Sequence, residues 1–465
     1  MLKRQTINVK SSLDASILSP EGSCKLVLAA NSNNVESPSR SSHSHEIAEY
    51  EIPFEVSALH SHSPRNKNGG YCGTRNGHGD SSNINSSGNN DVVTIRTLER
   101  KNINTKLSMK ELMSHVHYGV DNTGNTRVWD CSNVLAFLIM GEKATPRVNM
   151  GITTSHNNDS DNSKGDHLEY VYSKNEPFIG LSDILSLAND RNSTHCVVHE
   201  RKLLRVLELG AGMAALPSLA LAALHMQYRS RSRNNNGTEN GNGHETSIPR
   251  IHVTISDGHP NAVENNIVCS RLTQELYDCY NCNSSDDGKD ISCHPLLWKA
   301  NAIGKQECDD LMKNMSHHNA NACTSSTRNH AQREKIPFDL MLVSDCTHFT
   351  DFHVDLAATI GRMLRIDGIC LLCQPQRGES LKNFIQVIDA MNSNCNAEKG
   401  PLFQVDLHKV YNEEIYTRHS NLLDEKSEQY DANIHYPLLL ALKKLRDYHE
   451  DEDTETAIKF VQKQS

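Results

Sequence analysis

The sequence predicts an α/β protein: a doubly wound, seven-strand, Rossmann-like sheet with an antiparallel last strand, plus a disordered N-terminal region and polar insertions. Three observations predict it. Apolar strand-length runs alternate with amphipathic helix-length runs after Leu203. The first of them, LRVLELGAGMAALP from Leu204 to Pro217, breaks at glycines between a strand and a helix. The polar residues are gathered in blocks, although hydrophobic residues make up only 37% of the chain and aromatics 5%.

Residues 1–90 are mostly Ser, Asn, Gly and His, too poor in apolar surface to offset the entropy of ordering them, so this region is expected to be disordered. The same composition returns in 151–166, 229–246, 281–290 and 313–330. An N-terminal addition follows over 91–145: a strand in DVVTIRTLER (91–100), a short helix in MKELMSHV (109–116), and a turn at Asn122–Gly124 leading through Trp129 into a helix that starts near Asp130 or Ser132.

The main domain is expected over 196–446, with insertions near 229–246 and 305–335 and an acidic, polar tail over 447–465. Its strands are read at 203–210, 250–258, 292–300, 338–349, 368–375, 402–411 and 435–445. Helices at 214–228, 261–276, 353–364 and 380–391 give the right-handed crossovers of a mostly parallel sheet. HYPLLLAL follows a loop rather than a crossover helix, so that strand is expected to be antiparallel.

A net charge of −10 and a pI near 6.2 leave no basic track for nucleic acid. The apolar run 214–224 is too short to span a bilayer, and the N-terminus lacks a continuous apolar core for secretion. Of the 14 cysteines, Cys370 and Cys373 lie three apart on a strand and point to opposite faces. Cys279 and Cys282, near Cys293 and His294, have zinc-ligand spacing, but reduced structural thiols are the simpler reading and no metal is expected.

Gly210, Gly212 and Ala215 fit the GxGxx[G/A] turn of nucleotide-like cofactors. Asp257 ends the second strand, where an acid meets ribose hydroxyls. It follows the turn at more than the usual ~20 residues, and the polar run 229–246 accounts for the excess. Glu208, two residues before the first glycine, would repel a pyrophosphate and welcome the ammonium and sulfonium of S-adenosyl-L-methionine. A capping or solvated acid is the alternative for Glu208. Asp345, at the end of the fourth strand, is read as orienting an incoming amine, with a helix N-cap as its alternative.

LELGAGMAALPSLA, ISDGHPNAVENN, SDCTHFTDFHVDLAATIGRML, QPQRGESLKNF and DANIHYPLLLALKK resemble the seven-strand class I lysine methyltransferases of family 16. DNTGN (Asp121–Asn125) ahead of Trp129, Asp345–Cys346, Pro375–Gly378 and HYPLLL (His435–Leu440) resemble the members that act on calmodulin. The resemblance implies methyl transfer from S-adenosyl-L-methionine to a lysine side chain, with calmodulin as partner. It implies that Glu208, Gly210 and Gly212 line the methionine end of the cofactor and that Asp257 holds the ribose. Trp298 would pack near the adenine and Trp129 would cover the cofactor; core filling is the alternative for both. The catalytic pair implied is Asp345 and His348, the latter standing where the family usually has an aromatic residue. Two other readings stay open: a methyltransferase of this fold acting on another protein, and a cofactor-binding interaction protein weakened at His348. A monomer in the cytoplasm, with the nucleus as a second location, is expected.

Overall fold

A computed structural model describes residues 3–7, 45–54, 92–100, 128–141, 173, 179–188, 203–235, 248–277, 290–320, 337–393, 400–426 and 430–464. In chain order the elements are β1 (Lys3–Ile7), β2 (His45–Pro53), β3 (Val92–Arg100), α1 (Asp130–Met140), α2 (Leu181–Ser186), β4 (Leu203–Leu209), α3 (Leu216–Asn235), β5 (Arg250–Asp257), α4 (Pro260–Tyr277), β6 (Ile291–Pro295), α5 (Ala302–Ala320), β7 (Phe338–Ser344), α6 (His353–Met363), β8 (Leu364–Pro375), α7 (Ser380–Ser393), β9 (Phe403–His408), α8 (Glu413–Asp424), α9 (Ala432–His435), β10 (Pro437–Lys444) and α10 (Glu450–Gln464).

Seven strands form one sheet in the order β6-β5-β4-β7-β8-β10-β9. β10 is antiparallel to both β8 and β9, and the pairs from β6 through to β8 are parallel. The chain leaves β4 toward β5 and β6, then returns to the other side of β4 with β7. That reversal opens a crevice at the carboxyl ends of β4 and β7, where ligands of doubly wound sheets bind.

The sheet is buried on both faces, which is why its central strands read as nearly continuous apolar runs. One face (Leu204, Val206, Ile251, Val253, Leu340, Leu342) packs against α1, α2, α3 and α4. The other (Leu207, Leu209, Met341, Val343) packs against α5, α6, α7 and α10. Cys373 belongs to the first cluster and Cys370 to the second, so the two thiols do point to opposite faces.

β1, β2 and β3 form a second, antiparallel sheet. Its β3 edge is closed by α4, which presents Asn265, Cys269, Thr273 and Tyr277, one residue every four. Tyr277 Oη accepts from Thr94 N and donates to Thr94 O, both at 2.8 Å. Thr273 Oγ1 accepts from Arg96 N and donates to Arg96 O, both at 3.1 Å. Leu98 N donates to Cys269 Sγ at 3.2 Å, and Asn265 Nδ2 donates to Leu98 O at 2.9 Å. A helix face thereby satisfies a strand edge that would otherwise invite another strand.

Four expectations change. Residues 1–90 contribute β1 and β2, because HEIAEYEIP carries enough alternation to bury Ala48, Tyr50 and Ile52. The polar run after 228 begins as helix, with α3 reaching Asn235. The insertion near 305–335 begins as α5, whose Cys308, Leu311, Met312 and Met315 are buried. The tail over 447–465 forms α10, with four acids in its first turn and Ala457 in the core. The helix at 109–116, DNTGN, Cys279 and Cys282 lie outside the described residues. Among the described residues no helix is long and apolar enough to cross a membrane.

Candidate functional site

The glycine turn leaves β4 with two residues in the left-handed region: Gly210 at φ +64° and Gly212 at φ +61°. Space adds a second demand at Gly210, where a Cβ would lie 2.6 Å from Cys346 Sγ and 2.8 Å from the Trp298 ring. The neighbouring strand and helix hold the turn. Asp257 Oδ2 accepts from Gly212 N at 2.8 Å, and Asp257 Oδ1 accepts from His259 N at 2.7 Å. Asn266 accepts from Ala215 N at 3.1 Å and donates to Gly212 O at 3.0 Å. Ala211 N donates to Ser256 O at 3.1 Å, and Ser256 Oγ donates to Glu208 O at 2.8 Å.

Glu208 is buried, and its Oε2 accepts from Ser218 N at 3.0 Å, in the first turn of α3. The open N–H groups of a helix N-terminus draw the carboxylate there, so the capping alternative describes what it touches. Burial pushes Glu208 up to about 8, against the opposing bond from Ser218.

The loop after β7 lies across this turn. Cys346 Sγ is 3.5 Å from Leu209 O, and burial holds its thiol well above the usual range. Thr347 anchors the loop: its N and Oγ1 donate to Gln374 Oε1 at 3.2 and 3.3 Å, and its carbonyl accepts from Ser380 Oγ and contacts His353 Nε2 at 2.8 Å. Asp345, at φ +53°, donates its N–H to Cys373 O at 3.1 Å. Its carboxylate meets Arg377 in a two-pronged pair, Nε to Oδ1 at 2.9 Å and Nη2 to Oδ2 at 2.5 Å. Arg377, at φ +44°, also lies over the Trp129 ring, 5.4 Å from its centroid.

A left-handed backbone costs a side-chain-bearing residue about 1–2 kcal/mol, so two ion-paired residues in that region mark a place the surrounding structure over-determines. Arg377 N donates to Asn433 O at 2.9 Å. The chain next to Asn433 is braced by Tyr436, which stacks on His419 at 3.8 Å and on Tyr411 at 6.0 Å.

The structure therefore brings Glu208, Gly210, Gly212, Asp257 and Trp298 together around the turn, and joins Trp129 to Asp345 through Arg377. Asp345 caps no helix here, since α6 begins eight residues on, at His353. His348 is exposed, its ring edge-on to Phe349 at 4.6 Å. The sequence reading missed Gln374 and Thr347 as site residues, and the pairing of Arg377 with Asp345. PQRG was visible as a motif, but its partner lies 32 positions away.

The residues fit S-adenosyl-L-methionine. The left-handed Gly212 carries no side chain beside the carboxylate of Asp257, which its N–H already meets. Buried Trp298 Nε1 and Ser344 Oγ, at the crevice ends of their segments, have no hydrogen-bond partner among the described residues and are open to a polar ligand. Among the described residues no group of three or more His, Cys, Asp or Glu is arranged to hold a metal.

Residues 310–391 match the model of the lysine methyltransferase family, a span that includes Asp345, His348 and Arg377. The calmodulin-lysine N-methyltransferase of Arabidopsis thaliana is 34% identical over 113 residues, which are 23% of this chain and 33% of that protein. The chain thus spans about a third of the length of the curated relative it matches. Similar solved structures include a DszA carbon methyltransferase (13% identity, TM-score 0.26, 57% of this chain and 53% of that one). The plantazolicin methyltransferase BpumL in complex with SAH is another (10%, TM-score 0.24, 56% and 83%). Likeness of that degree bears on neither substrate nor site. Residues 310–391 are thus similar to the lysine methyltransferases, and the glycine turn ahead of them fits S-adenosyl-L-methionine.

Proposed function

We propose that this protein transfers methyl groups from S-adenosyl-L-methionine to the side-chain amine of a lysine, and that the lysine belongs to calmodulin. The single observation that carries the transfer is the loop after β7. It presses Cys346 against the glycine turn at Gly210 and Leu209, which supports reading its neighbour Asp345 as a residue of the site. When bound, the cofactor supplies an electrophilic methyl group on a sulfonium. The protein's own residues do the rest. Gly210 and Gly212 let the backbone close on the ligand, Asp257 faces its ribose, and Trp129 and Trp298 flank it. Asp345 orients the amine by accepting a hydrogen bond from it. The amine must arrive neutral, although free lysine titrates near ~10.4; partial desolvation and a nearby positive charge both lower that value. Positioning then supplies much of the rate.

Calmodulin as substrate rests on the partial likeness to the plant enzyme and on the DNTGN and HYPLLL motifs. The test incubates the protein with labelled S-adenosyl-L-methionine and either calmodulin or a whole-cell lysate. Label in a calmodulin lysine is the expected result. Label only in other lysate proteins would replace the substrate, and cofactor binding without label would leave a binding protein.

A further inference from the structure

We propose that Arg377 is a positioning residue that acts through Asp345: it neutralises the carboxylate so that the incoming lysine is received as an amine rather than held as an ammonium. The proposal rests on the lysine-methylating reading above. Four observations carry it. The guanidinium meets both carboxylate oxygens, at 2.9 and 2.5 Å. The pair is mostly shielded, with side-chain exposures of 17% for Arg377 and 7% for Asp345. Both residues are held in left-handed backbone, Asp345 by Cys373 O and Arg377 by Asn433 O. The guanidinium is also fixed from the other side by the Trp129 ring.

The chemistry follows from charge. A lone carboxylate in a shielded site stabilises a neighbouring cation and would raise the lysine's pKa. An ammonium has no lone pair and does not attack a methyl group. Paired with Arg377, Asp345 has no net charge to offer, yet each oxygen keeps a lone pair that accepts from a neutral amine. The lysine's proton then leaves to solvent before transfer. The other titratable groups facing the pair are Cys131 of α1, Cys373 of β8 and, across Cys346, Glu208 and Asp257. The hydrogen bond with Cys373, and then burial, hold the Cys131 thiol well above the usual range. Glu208, at about 8, titrates in the working range, but it is common to every variant below and cancels from the comparison.

The experiment measures kcat against pH with calmodulin and saturating S-adenosyl-L-methionine for the wild type, Arg377→Gln, Arg377→Lys and the double variant Asp345→Asn/Arg377→Gln. Thermal melting and S-adenosylhomocysteine titration are run on each. Arg377→Gln is expected to move the rising limb up by about 1 pH unit or more, the usual effect of an unpaired neighbouring charge. Arg377→Lys keeps the limb near its wild-type position at a lower plateau. The double variant brings the limb back at a lower plateau, because its two side chains are again jointly neutral. A uniform loss of kcat at every pH in Arg377→Gln, or a shift that persists in the double variant, would overturn the proposal and leave Arg377 a structural brace. If Arg377→Gln melts before assay, the double variant and Arg377→Lys decide, since a displaced limb in either contradicts the charge account. A wild type that labels no lysine would instead remove the reading on which the proposal stands.

Discussion

At the N-terminal end of the central sheet, Asp290 and Asp339 each sit among several donors; at the C-terminal end, Asp345 meets the fork of a single arginine. Asp290 receives Arg250 at 3.2 and 3.1 Å and Arg229 at 2.8 Å, with His225 at 3.4 Å. Burial alone would raise its pKa, but His225 and the two guanidinium groups bring it down to about 2. Asp339, fully buried, accepts from Arg205 N at 2.8 Å and Arg365 Nε at 2.6 Å. These acids sit on ordinary backbone and staple strand starts together. The other end is built on left-handed residues (Gly210, Gly212, Asp345, Arg377) and holds Glu208 buried near neutrality. Satisfied carboxylates serve the fold at one end, while at the other a buried acid raised to about 8 stands beside an ion pair whose two residues are both left-handed.

Variants at the two ends should separate these roles. The largest effect is expected from Asp339→Ala. It strands Arg365 and the Arg205 N–H and should lower stability by about 3–5 kcal/mol in urea unfolding. S-adenosylhomocysteine affinity of the folded fraction should stay unchanged, and a selective loss of affinity would erase the distinction between the ends.

Glu208→Gln comes next and works through pH. The folded-state pKa of Glu208 is raised from 4.5 to about 8, so its contribution to stability is full below the unfolded value and is lost as pH climbs through about 8. The wild type should lose about 3 kcal/mol between pH 5 and pH 8 relative to Glu208→Gln, at ~1.4 kcal/mol per unit. Parallel stability curves for the two proteins would mean that Glu208 ionises normally.

Gly210→Ala should lower stability by at least about 1–2 kcal/mol, the left-handed cost of a side chain, and weaken S-adenosylhomocysteine binding at least about tenfold by calorimetry. A methyl group there meets Cys346 and Trp298 in a left-handed backbone. The smallest effect is expected from His348→Phe, since that ring is exposed and pairs only edge-on with Phe349 among the ring contacts described. Its rate should match the wild type, and only the balance of mono-, di- and trimethyl product on the lysine, read by mass spectrometry, should change. An unchanged balance would remove His348 from the pocket.

The comparison also explains what was legible in sequence. The strands of the large sheet, the turn at Gly210 and the antiparallel β10 were readable because periodicity, glycine spacing and a missing crossover are local signals. HEIAEYEIP and α10 were lost because their neighbours are so polar that composition outweighed pattern. The Asp345–Arg377 pair was out of reach for another reason. Its halves sit after different strands, 32 residues apart, and only the β7–β8 register sets them face to face. Glu208 reads in sequence as an acid facing the cofactor, with capping as its alternative, but its bond to Ser218 depends on how α3 leaves the turn, which spacing alone does not fix.

The most direct test of the central claim is to incubate calmodulin with S-adenosyl-L-methionine and either wild type or Asp345→Asn, then locate methyl groups by tandem mass spectrometry. S-adenosylhomocysteine affinity is measured alongside. The account predicts methylation of a calmodulin lysine by the wild type, with a rate lower by about 100-fold in Asp345→Asn at unchanged cofactor affinity, the scale of a lost transition-state contact. Unmodified calmodulin with the wild type, or Asp345→Asn as fast as wild type, would contradict it.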